Sequence, residues 1–271
     1  MILTLLQEGE HGFELGEAAR QFAQFIAWFG IFGPLGFRYV VMRGSAGPEP
    51  DRELAAVDEI WSGALRRAAL IGLGGALLLI ADLLPLTTRN TVNLVCAAVL
   101  ALAYAIARRR PLAWHLALLA GLVLVFQSIV RLRWQTLVNP VHMTSAAVWI
   151  GTLFVVVSAG IPAILRAPLR ERRGPLVAEL IARFSPLALF GAGFLVLTGL
   201  ITAWRHLGSI AALWSTSYGI TLIVKLCFVG VVVALGAWNW KQLSPRLGTE
   251  ETASAIRRSA TAEVGTTLLV L

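Results

Sequence analysis

Apolar runs of membrane-spanning length, parted by short arginine-rich loops, recur along the whole of this 271-residue chain. A helix crossing the hydrocarbon core needs about 20 mostly apolar residues. Inside lipid, only a helix satisfies all its own backbone donors within one segment. The runs fall at Gln21–Met42, Ala68–Leu86, Thr91–Ala107, Pro111–Val130, Val141–Leu165, Pro186–Trp204 and Gly219–Trp240, with an eighth beginning near Ala262. The third is short and closes on Arg108, Arg109 and Arg110. The eighth stops at Leu271 and is expected to be truncated. The expected fold is therefore all-α, a polytopic bundle of about eight transmembrane helices.

Composition excludes the alternatives. Hydrophobic residues make up 57% and charged ones 14%, against about 45–50% and 25% in soluble domains. That is too apolar for a water-soluble globule and far too apolar for a disordered chain. The net charge of +8 is not a nucleic-acid patch, because the basic residues sit between the spans. Sixteen of the 23 follow spans one, three, five and seven, whereas five lie in the tail and the remaining loops. This unbroken alternation puts the odd-numbered loops in the cytoplasm and the N-terminus outside. The expected organisation is one integral membrane domain: an extracytoplasmic tail over 1–20, helices one to four over 21–140, and helices five to eight over 141–271.

Three local expectations follow. The mixed-charge stretch from Arg43 to Arg67 should lie along the cytoplasmic surface. Trp61, Trp114, Trp238 and Trp240 should mark the inner boundary, and Trp134, Trp204 and Trp214 the outer one, as amphipathic indoles prefer. Small residues four apart (Gly72 with Ala76, Ala188 with Ala192, Gly230 with Ala234) should allow close helix contact.

Polar groups in hydrocarbon are costly and draw attention to function. His142 opens span five behind Pro140, beside Met143. It shares a helix face with Trp149, seven residues on. Imidazole and thioether together suit copper, Cu(I) above all. The bland reading is an interfacial histidine that merely bonds a neighbour, and pattern alone favours it about two to one. His206, after span six, and His11, in the tail, also fall on the outer side. His115 falls at the opposite end of the bundle, which disfavours a bis-histidine haem. Lys225 and Asp82 lie at similar depth and are a candidate ion pair, as are Arg38 and Glu263 nearer the inner side. Cys96 and Cys227 read as small hydrophobes. No nucleophile elbow, P-loop, HExxH or dinucleotide fingerprint occurs, so an enzyme is not expected.

From His142 onward the chain resembles the CopD family of bacterial inner-membrane copper-resistance or copper-import proteins. The resemblance runs through His142-Met143-Thr144-Ser145-Ala146-Ala147-Val148-Trp149-Ile150-Gly151, then Arg183-Phe184-Ser185 and Leu197-Thr198-Gly199. It continues with Ser217-Tyr218-Gly219, Lys225, Asn239, Pro245-Arg246 and Glu263-Val264-Gly265. It implies a multi-pass inner-membrane protein that moves or handles copper, often beside a periplasmic partner of the CopC type. On that footing, His142 and Met143 capture the ion at the outer mouth, with His206 as a possible further ligand. Trp149 walls the path, and Lys225, Asp82 and Glu263 are polar groups along it. Many relatives carry a Gly-His pair near the outer end of the fourth span, where this chain reads Phe126-Gln127-Ser128; neither Gln127 nor Ser128 is a good ligand for a soft cation. A non-transporting assembly factor is the main rival, and a haem-b electron carrier the lesser one.

Overall fold

The computed structural model describes residues 15–43, 52–84, 87, 90–130, 138–168 and 170–238, and every regular element among them is helical. In chain order they are α1 (Leu15–Gly36), α2 (Arg52–Asp82), α3 (Thr91–Ala107), α4 (Ala113–Val130), α5 (Val138–Val155), α6 (Ile161–Arg166), α7 (Arg173–Leu207), α8 (Ala212–Ser215) and α9 (Ser217–Trp238). Four helical stretches, Ala55–Asp82, Ala113–Val130, Pro140–Arg166 and Arg170–Arg205, are long and apolar enough to cross a membrane, and Thr91–Ala107 is a shorter apolar helix. The expected all-α bundle is what the chain forms. The eighth run, with Glu263, lies outside the described residues, as do His11, Trp134, Trp240, Asn239 and Pro245.

Several helices extend past their apolar runs. α1 starts at Leu15, α2 at Arg52 and α7 at Arg173. The charged stretch before Ala68 is therefore not a separate surface segment. From Arg52 on it continues into the span as one 31-residue helix, with Ile60, Trp61 and Ala64 buried. Hydropathy locates the part of a helix that needs lipid, and backbone bonding carries the helix beyond it.

Two turns are wider than α-helical. A π segment at Phe37–Val41 follows α1, and another at Val156–Gly160 joins α5 to α6. Pro162 sits at the start of α6. A proline ring presses on the carbonyl four residues earlier, here Ser158, which lies in the π turn. The extra residue in that turn makes room, as π-bulges do.

The helices pack in the spatial order α4, α3, α2, α1, α5, α7, with α9 beside α8 and α7. α1 is central, and Phe29 to Phe37 are buried without interruption. Its glycines set the two closest crossings. A Cβ on Gly30 would lie 2.9 Å from Cα of Gly75 on α2, and one on Gly33 would lie 2.8 Å from Cα of Gly151 on α5. Without a hydrophobic drive between helices in lipid, such close backbone packing is a main source of association. The small residues expected at these crossings are only partly the ones used. Gly72 instead receives the ring of Tyr104, whose hydroxyl donates to the Ile31 carbonyl. Gly191 is a tight position on α7, and Ala188 packs against the core.

The tryptophans divide. Trp204 and Trp214 are exposed, as expected of an outer belt. Trp61 and Trp114 are buried in the protein, Trp114 against the edge of Tyr104 at 5.6 Å between ring centroids. Burial thus separates indoles that the sequence grouped together as boundary residues.

Candidate functional site

His142 lies in the first turns of α5, half-buried against α7. Its Nδ1 is 2.8 Å from Oγ1 of Thr198 on α7. The Thr198 hydroxyl is 2.6 Å from the Phe194 carbonyl one turn earlier. A hydroxyl has one proton. The carbonyl can only accept, so Thr198 donates to Phe194, and the contact with His142 must be made by a proton on Nδ1. In a neutral imidazole the lone pair then sits on Nε2. The threonine thus fixes both the tautomer and the tilt of the ring.

Trp149, seven residues on, meets Gly191, which lies seven residues before Thr198. The antiparallel register of α5 and α7 is therefore constant across two turns. Gly199 faces the other side of the His142 contact. A Cβ there would lie 3.6 Å from Cε1 of His142, an ordinary contact, but a Cβ on Gly191 would lie 2.7 Å from Cβ of Trp149. Gly191→Ala is therefore expected to destabilise the protein by about 1–3 kcal/mol, while Gly199→Ala leaves it nearly unchanged. Thermal melting of the two variants checks this, and equal loss in both would contradict the register.

The other candidate residues are placed as follows. Met143 is half-buried and leaves the helix about 100° around from His142, so an ion shared by both must lie between their directions. His206 falls in the last turn of α7, eight residues past Thr198, and not in the loop after it. Lys225 lies on α9. Asp82, expected near Lys225, has both carboxylate oxygens engaged by α1: Oδ1 at 2.7 Å from Nε of Arg20 and Oδ2 at 2.8 Å from Nε2 of Gln24. Arg20 is largely exposed, so the pair contributes no more than about 1 kcal/mol. His115 bonds Tyr39 at the opposite end of the bundle from His142. Cys96 is buried and Cys227 exposed, on α3 and α9. Among the described residues no three His, Cys, Asp or Glu side chains converge to hold a metal.

The residue that sequence reasoning missed is Thr198. Its segment, Leu197-Thr198-Gly199, was part of the resemblance, but no role was attached to it. The available signal was the matched spacing of two ring-bearing residues on α5 and two small-residue positions on α7.

These features define an α-helical membrane protein in which an imidazole at one end of α5 is oriented by a buried hydroxyl on α7. Residues 178–271 match the family model described as Copper resistance protein D. "Copper transport protein CutJ" of Bacillus subtilis (strain 168) is 34% identical to the chain over 104 residues, 37% of this chain and 18% of that protein. The chain therefore spans less than a fifth of the length of the curated relative it matches. No solved structure matches. By these similarities the C-terminal third of the chain resembles the CopD family. The matched stretch contains Gly191, Thr198, His206, Lys225 and Glu263, and it begins after His142, Met143 and Trp149.

Proposed function

We propose that this protein moves copper across the bacterial inner membrane, for uptake or resistance, as a multi-pass transporter and not as an enzyme. Copper is the cargo. It is captured at the outer mouth by Nε2 of His142, with Met143 as the soft neighbour and His206 as the nearest further histidine in sequence on that side. Trp149 walls the inward path, and Lys225 and Glu263 set its local field. The arginine-rich loops lie in the cytoplasm and the N-terminus outside, with the 141–271 helices carrying the site and the 21–140 helices supporting it. A periplasmic CopC-type protein is the expected donor or acceptor. The observation that carries this reading is the Thr198 proton count, because metal-binding histidines typically donate their other ring N–H to a fixed acceptor.

The rival, a non-transporting assembly factor, would use the same bond only to hold α5 on α7. Thr198→Val separates the two. It keeps the shape and removes the acceptor, and loss of such a support typically costs 10–100-fold in metal affinity. The purified Thr198→Val protein should bind copper about 10–100-fold more weakly, with Thr198→Ser close to wild type. Cells producing Thr198→Val should show a matching drop in copper accumulation. Unchanged affinity and uptake in Thr198→Val would favour the assembly role.

A further inference from the structure

The other end of the bundle holds a cavity of about 270 Å³ between α1, α2 and the α3–α4 turn. This lies just under the 300–1,000 Å³ usual for small-molecule sites. Four guanidinium-bearing residues line it: Arg38 after α1, Arg66 on α2, and Arg108 and Arg109 between α3 and α4, with Ser62 and Trp114 beside them. They come from three separate points of the sequence, so the cluster is built by the fold and not by one basic run.

None of the four has an ion pair among the described residues. The Nε of Arg38 is buried and has no hydrogen-bond partner among them, and its guanidinium carbon lies 5.9 Å from the Tyr39 ring centroid. Arg67, next to Arg66, also has a buried, unpartnered Nη1. Asp58 and Glu59, a turn before Ser62 on α2, are exposed and make no ion pair among the described residues. A buried charged donor left unpaired is costly, and mutually repelling guanidinium groups around one space call for an anion. Arginine's planar fork matches phosphate oxygens in particular.

Depth says where that anion comes from. Arg66 lies 16 residues from Asp82 along α2, or about 24 Å at 1.5 Å per residue. The Arg20–Asp82 pair marks the opposite boundary, so Arg66 falls close to the edge of a hydrocarbon core of about 30 Å. Ile106 and Leu112, which bracket the lining residues of the α3–α4 turn, are exposed apolar side chains. A headgroup in the cavity would leave its acyl chains beside surface of this kind.

We propose that the cavity binds a phosphate-bearing anion, supplied by the headgroup of an anionic phospholipid of the adjacent leaflet. Basic pockets between helices at this depth suit such headgroups. Arginines that in sequence only fix orientation thus also form a lipid site, independent of copper handling.

The test uses the full chain in nanodiscs of phosphatidylcholine, alone or mixed with phosphatidylglycerol, with inorganic phosphate added to the former as a separate arm. Phosphatidylglycerol should raise Tm by about 5 °C, and native mass spectrometry should count retained phosphatidylglycerol. Arg38→Gln and Arg66→Gln should each lose at least half of that shift and of the retained lipid. Arg110→Gln, which removes a charge from the same turn but not from the lining, should keep both. The proposal is overturned if phosphatidylglycerol gives no shift, or if Arg110→Gln loses as much as Arg66→Gln, which would mean general charge attraction. Inorganic phosphate reproducing the full shift would overturn the lipid as source and make soluble phosphate the ligand.

Discussion

On the proposed transport role, cells producing the His142→Ala protein are expected to show less copper accumulation, or less copper tolerance, than cells producing the wild type. The substitution removes the imidazole and its Nε2 lone pair, and leaves the Thr198 hydroxyl bonded to the Phe194 carbonyl. No buried donor is orphaned, because Thr198 spends its proton on its own helix. Loss of the bond to Thr198 costs the fold about 1 kcal/mol, beside the contact over Gly199. Loss of transport with little loss of Tm is the pattern of a cargo ligand. Loss of both together is the pattern of a histidine that only joins α5 to α7. Unchanged copper uptake and tolerance in this variant would refute the role.

Gly33→Leu should have the largest effect on stability. A Cβ at Gly33 would stand 2.8 Å from the Cα of Gly151 and closer still to its carbonyl group, and the obstacle is backbone. Backbone cannot change rotamer, so α1 and α5 must separate. Gly151 is equally constrained, since a Cβ there would lie 2.6 Å from the Phe29 carbonyl oxygen. Lipid offers no compensating hydrophobic drive, and the expected loss exceeds about 3 kcal/mol. Tm in detergent should fall by about 6–12 °C, and copper binding should fall with it because α5 carries His142. A melting temperature equal to wild type would show that the two helices do not cross at these glycines.

What the sequence made legible, and what it hid, follow from the nature of the signal. Hydropathy reports which residues need lipid, so the runs from Gln21 to Trp240 were visible one by one. It is silent on helix that continues outside the core, so the starts at Leu15, Arg52 and Arg173 were missed. The apolar run beginning at Pro186 hid that this proline lies inside α7, as membrane helices tolerate. Hydropathy also cannot give the direction in which a residue faces, because nearly every face is apolar. Trp61 and Trp114 therefore looked like belt residues but are core. Asp82 was matched to Lys225 by depth alone, whereas its carboxylate is held by Arg20 and Gln24 on α1.

The same limit applies to the candidate site. The shared face of His142 and Trp149 followed from helical spacing. Which residues would meet that face did not, because it depends on the α5–α7 register. Small positions at Gly191 and Gly199 flank Thr198, and only packing reveals that this hydroxyl orients the ring.

The most direct test of the account is copper bound per molecule of purified protein, measured by mass spectrometry in wild-type and His142→Ala samples loaded under reducing conditions. The account predicts stoichiometric copper in the wild type and its loss in His142→Ala, with both proteins folded. Equal copper in the two, or none in either, would contradict a copper site at His142.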